Sequence, residues 1–123
     1  MELKKISGNL TVSPQISVSD IAALKAGGFR SIICNRPDGE GADQPTFDEI
    51  EAAAKAAGIE TRYIPIKSGM VRDEDAEDFG KALDELPAPT LAYCRSGTRS
   101  ATLWSLSQAR KLPIAHILAV TKG

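Results

Sequence analysis

The chain is poor in the groups that most often announce a chemistry. In 123 residues it has one histidine, His116, and two cysteines, Cys34 and Cys94. A lone histidine lacks companions for a metal site, so no metal is expected, and His116 reads as a packing or surface residue. The cysteines each close an apolar run and show no disulfide-type spacing, which fits a reducing compartment and a cytoplasmic location. A formal net charge of −1 gives no reason to expect nucleic acid or an anionic membrane as partner. No apolar run nears the ~20 residues of a membrane span, and Met1–Ser7 has no apolar signal core. Any attraction for anions must be local.

What remains is an average soluble composition, 42% hydrophobic and 25% charged, enough for one core. A single domain over residues 1–123 is expected. Strand and helix signals alternate. Leu10–Ser13 reads as a strand. Ser17 to Asp20 offers caps for a helix through Ala26, ended by Gly27-Gly28. Phe29–Cys34 is a strand by composition. Thr46 and Glu49 form a capping box, and Phe47, Ile50, Ala53, Ala54 and Ala57 share the face of the helix it starts. Ile59–Ile66 reads as a strand. Asp73 is expected to cap a helix with Ala76, Phe79, Leu83 and Leu86 inward; Pro87 and Pro89 then break the chain. A last helix over Ala101–Lys111, with Trp104 in the core, is expected to be central and well buried. The closing Pro113–Gly123 stretch is apolar until Thr121 and reads as a trimmed edge. Such alternation predicts an α/β fold: a mostly parallel central sheet flanked by helices.

In parallel sheets ligands bind beyond the carboxyl ends of the strands. Cys94 stands there, followed by Arg95-Ser96-Gly97-Thr98-Arg99-Ser100 and then the last helix. Free N–H groups at a helix start and two neighbouring guanidiniums favour a thiolate over a thiol, and the same cradle suits an anionic ligand. Cys94 is therefore the candidate nucleophile, and Arg99 the group that orients and neutralises the anion. Arg95, Ser96, Gly97, Thr98 and Ser100 are candidate anion-binding residues; Ser100 reads equally as a helix cap. Arg36 and Asp38 are candidates at the mouth, either pairing with each other or steering an anion, with a plain Asp38-Gly39 turn as the rival. Cys34 is expected in the core, a resolving thiol being the alternative.

Two separated motifs, Asn35-Arg36-Pro37-Asp38-Gly39-Glu40 with Gln44-Pro45, and Ala92-Tyr93-Cys94-Arg95-Ser96-Gly97-Thr98-Arg99-Ser100, resemble the phosphatase-like domain of β-lactamase-hydrolase-like proteins. The resemblance implies a fold like that of dual-specificity and tyrosine phosphatases. Longer relatives continue into a metallo-β-lactamase-like domain, whose histidine cluster this chain cannot carry.

Two departures stand out. Such phosphatases space nucleophile and arginine as Cys-x5-Arg, whereas four residues separate Cys94 from Arg99, and Tyr93 stands where they usually have histidine. The short loop resembles that of a rhodanese, a sulfurtransferase. They also take a general acid from the loop after the strand resembling Tyr63–Ile66, where this chain has Lys67, Ser68 and Gly69; Asp73 is the nearest carboxylate. Sulfane-sulfur transfer has less need of such an acid, since thiosulfate releases sulfite, already a stable anion. The first expectation is thus a sulfurtransferase working through a Cys94 persulfide, with thiosulfate or a low-molecular-weight persulfide as donor and a thiol, cyanide or partner protein as acceptor. The alternative is a phosphatase hydrolysing phosphomonoesters through a phosphocysteine, and the third a non-catalytic anion-binding module. None implies a cofactor.

Overall fold

The computed structural model describes residues 2–67 and 69–111. His116 and the Pro113–Gly123 stretch lie outside them. Five strands form one sheet: β1 (Lys4–Lys5), β2 (Leu10–Ser13), β3 (Ser31–Cys34), β4 (Glu60–Tyr63) and β5 (Thr90–Tyr93). Their order is β1-β2-β5-β3-β4. The short β1 edge is antiparallel to β2 and every other pairing is parallel. The α/β expectation holds.

β5 is enclosed by β2 and β3, with Tyr93 level with Ser13 on one side and Cys34 on the other. All four residues of β3 and of β5 are buried, as continuous apolar strands of a covered parallel sheet should be. Their side chains alternate between faces. Ile32, Cys34, Leu91 and Tyr93 join Ile21, Leu24, Phe47 and Ile50 under α1 (Ile21–Ala26) and α2 (Phe47–Ala56). Ile33 and Ala92 join Phe79, Ala82 and Leu103 under α3 (Asp73–Glu85) and α4 (Thr98–Lys111). By the same alternation Cys94 belongs to the α3/α4 side and Cys34 to the other. Cys34 is core, its thiol hydrogen-bonded to the Arg36 carbonyl at 3.3 Å.

Local signals explain the helices. Thr46 Oγ1 accepts from Glu49 N at 3.2 Å while Glu49 Oε1 accepts from Thr46 N at 3.1 Å, closing the capping box on α2. A 3-10 turn, Val18–Asp20, leads into α1, and the Asp20 carboxylate accepts from Ser17 N at 2.8 Å. Three expectations need correction. Arg72, not Asp73, occupies the cap position of α3, and Asp75 accepts the Arg72 N–H at 2.9 Å. Helix α4 begins at Thr98, so Ser100 lies inside it and is no cap. It is also less buried than its apolar circumference promised. Leu103 and Ser107 are buried, while Trp104 and Leu106 are only half-buried and Ala109 is exposed. The close approach of α3 and α4 is set by Gly80, where a Cβ would meet that of Ser107 at 3.2 Å. Among the described residues no helix is long and apolar enough to cross a membrane.

Candidate active site

Cys94 leaves the end of β5 and the chain turns at once into α4. The turn is possible because Gly97 adopts φ +91°, and a Cβ there would come within 3.4 Å of the Ser13 carbonyl carbon and oxygen. Only glycine takes that backbone so close to a neighbouring strand. The Gly97 N–H points back at the thiol sulfur, 3.0 Å away. The Ser13-Pro14-Gln15 segment after β2 braces the loop, Gln15 N donating to the Arg95 carbonyl at 3.3 Å. Arg95, Ser96 and Thr98 are exposed, whereas Cys94 is 0% exposed. The Ser96 hydroxyl serves Thr98: its oxygen accepts Thr98 N–H at 3.4 Å and it donates to Thr98 Oγ1 at 3.1 Å.

Arg99, in the first turn of α4, is buried and tightly held. Nη1 donates to Glu40 Oε2 and to the Ile66 carbonyl, both at 2.7 Å, and Nη2 donates to Glu40 Oε1 at 2.8 Å. The guanidinium has five N–H donors in one plane. Three are thus engaged, and the two left, on Nε and Nη2, share one edge. Cys94 is near enough that its sulfur adds to the effect that favours the charged form of Arg99. Glu40 is shared with Arg36, whose Nε donates to Oε1 at 3.1 Å and whose Nη1 donates to Gln15 Oε1 at 3.1 Å. Hydrogen bonding to Arg99 holds the Glu40 carboxyl below the usual carboxylate range against the opposing effect of desolvation, and Arg36 adds to the lowering. Glu40 in turn pushes the Arg99 pKa up. Gly41 leaves room for this arrangement, since a Cβ there would sit 2.8 Å from Arg36 Nη2.

A cleft of about 650 Å³ opens beside the loop, lined by Gly69, Val71, Arg95, Ser96, Thr98, Arg99 and Thr102. Among the described residues no cluster of His, Cys, Asp and Glu could hold a metal ion.

Residues 2–111 match the family described as the phosphatase-like domain of beta-lactamase hydrolase-like protein. The chain belongs to that family. A beta-lactamase hydrolase-like protein of Agrobacterium fabrum is 37% identical over 109 residues, covering 89% of this chain. The chain spans only 25% of that relative's length. A candidate phosphatase of Neisseria meningitidis has the same fold with a TM-score of 0.84 at 32% identity, covering 99% of this chain and 87% of its own. At 17% identity, P. aeruginosa TpbA, solved as a cysteine-to-serine form with phosphotyrosine, superposes with a TM-score of 0.61 over 82% of this chain and 58% of its own, showing a shared fold.

Measured against the expectations, this phosphatase-like domain brings Cys94, Arg95, Ser96, Gly97, Thr98 and Arg99 together. Ser100 and Asp38 each have another partner. The buried Ser100 hydroxyl donates to Asn35 Oδ1 at 2.8 Å. Asp38 Oδ1 accepts the Phe47 N–H at 2.8 Å at the start of α2. Arg36 therefore pairs with Glu40 and not with Asp38. A reading confined to the cysteine loop misses Glu40, Gln15 and Asn35. Asn35 Nδ2 donates to the Ile64 carbonyl at 2.9 Å while Oδ1 takes the Ser100 hydroxyl, tying β3 and the segment after β4 to α4. The signal for two of them was present: Asn35 and Glu40 begin and end one of the quoted motifs.

Proposed function

We propose that this chain is a cysteine-dependent phosphatase domain. The observation that carries the reading is the end-on grip of Glu40 on Arg99, which leaves a two-donor edge of the guanidinium for a ligand at the Cys94 loop. A planar pair of N–H donors suits two oxygens of one phosphoryl group; it would suit the oxygens of thiosulfate as well, but not the terminal sulfur of the persulfide that follows. Family membership supports the same choice, and sulfur transfer becomes the second reading, kept by the four-residue spacing between Cys94 and Arg99.

The chemistry divides into two displacements. Cys94 sulfur attacks phosphorus in line, the S–P bond forms, and the bond to the leaving oxygen breaks with its electron pair departing on that oxygen. Arg99 and loop N–H groups neutralise the equatorial oxygens. Water then attacks the phosphocysteine, releasing orthophosphate and restoring the cysteine. With Cys94 covered, substrate reaches the sulfur only as residues 95–98 give way.

The test is to incubate reduced protein with p-nitrophenyl phosphate and separately with thiosulfate, reading product release and intact mass, with Cys94→Ser as control. Cys94-dependent nitrophenol release without a sulfur adduct is expected. One added sulfur on Cys94, with no nitrophenol, would establish sulfur transfer in its place. Anion binding that survives Cys94→Ser, with neither product, would make the domain a binding module.

A further inference from the structure

A phosphatase that expels an alkoxide or phenoxide needs a proton donor at the leaving oxygen, and that contribution is worth about 10²–10⁴-fold. All 16 acidic residues of the chain lie within the described residues, and none lines the cleft that holds Arg95 and Arg99. Glu2 lines a separate cleft on the β1–β2 flank of the loop, with Ser96, Gly97 and Thr98, and not the one that holds both arginines. Glu40 approaches through Arg99, and two arginines hold it as the carboxylate, with no proton to give near neutral pH. Asp73 opens α3 and does not line the cleft. Asp38 and Asp75 are turned to backbone N–H groups at the starts of α2 and α3. The Tyr63 hydroxyl accepts the Asp38 N–H at 2.9 Å, and Tyr93 packs on the opposite face of the sheet. The cleft offers instead two guanidiniums, Arg95 and Arg99, and the hydroxyls of Ser96, Thr98 and Thr102.

We propose, resting on the phosphatase reading, that the substrate carries its phosphoryl group on a leaving group that departs as a stable anion, a phosphoanhydride and not an alkyl phosphomonoester. When Cys94 takes the terminal phosphoryl of an anhydride, the bridging P–O bond breaks and its electron pair leaves on a phosphate oxygen, which needs no proton. The leaving phosphate is itself an anion, and the exposed Arg95 in the cleft wall matches its charge. Water then frees orthophosphate from Cys94. Tripolyphosphate and water would thus give pyrophosphate and orthophosphate, with no oxidant or other reactant consumed.

The experiment measures kcat/KM, which reports the first displacement, for 2,4-dinitrophenyl, p-nitrophenyl, phenyl and benzyl phosphates and for inorganic tripolyphosphate, using wild type and Cys94→Ser. The expected result is a steep fall along the ester series, roughly a hundredfold or more between dinitrophenyl and phenyl phosphate, together with Cys94-dependent cleavage of tripolyphosphate. A flat series would reveal a proton donor and overturn the proposal; a donor supplied by His116, outside the described residues, would show itself in the same way. A steep series with tripolyphosphate untouched would overturn the anhydride assignment. No Cys94-dependent phosphate from even the dinitrophenyl ester would sink the phosphatase reading itself.

Discussion

Glu40 holds Arg99 end-on, Oε2 at 2.7 Å from Nη1 and Oε1 at 2.8 Å from Nη2, across 59 residues of sequence. That grip fixes the plane of the guanidinium and decides which donors are left for a ligand. Replacing Glu40 by Gln keeps the shape and removes the charge. A hydrogen bond to a charged group is worth about 1.5–3 kcal/mol, so kcat/KM on an activated aryl phosphate should fall roughly 10–100-fold. Circular dichroism on the same sample checks that the fold persists. An unchanged kcat/KM would leave Glu40 with no positioning role.

The pH dependence follows from the same pair. Glu40 titrates below the usual carboxylate range because Arg99, then Arg36, favours its ionised form. A depressed carboxylate contributes its full stabilisation above the unfolded-state pKa and loses it as pH falls through the folded value. Wild type should therefore keep its Arg99 geometry down through the ordinary glutamate range and lose it only in more acid solution. Comparing acid unfolding and kcat/KM profiles of wild type and Glu40→Gln checks this, since the limb due to Glu40 must vanish in the variant.

Gly97→Ala tests the turn. Its φ of +91° and the 3.4 Å approach to Ser13 make any side chain costly, by about 1–2 kcal/mol from backbone strain alone. Urea unfolding should show that loss, and activity should fall further because the Gly97 N–H would no longer point at the Cys94 sulfur.

Ser100→Ala separates two readings of one hydroxyl. With the Asn35 bond removed, buried Asn35 Oδ1 is orphaned, at a cost of about 1–3 kcal/mol. A lower Tm with KM nearly unchanged is expected. A raised KM at unchanged Tm would return the hydroxyl to the bound anion.

Much of the fold could be read along the chain because its signals are local. Leu10–Ser13, the capping box at Thr46 and Glu49, and the inward Ala76 and Phe79 depend on neighbours a few residues away. The start of α4 was harder: Thr98, Arg99 and Ser100 look like loop residues, and only the Gly97 turn makes them helical, with Ala101 N donating to the Gly97 carbonyl at 3.1 Å. Trp104 reads as core from its spacing but is only half-buried, because helical spacing gives a face and not what covers it. Asp38 and Arg36 look like partners because they are two residues apart in sequence, yet each has another partner once α2 and the 40–41 turn are in place.

The sequence by itself determined the alternation that makes a parallel sheet and the cysteine–glycine–arginine turn at the end of β5, since both rest on apolar periodicity and local backbone preference. Only the tertiary structure decided which of the nearby polar groups serve that turn. It drew Glu40 to Arg99 and Ser100 to Asn35, because a buried charge or hydroxyl must find a partner wherever the packed elements bring one.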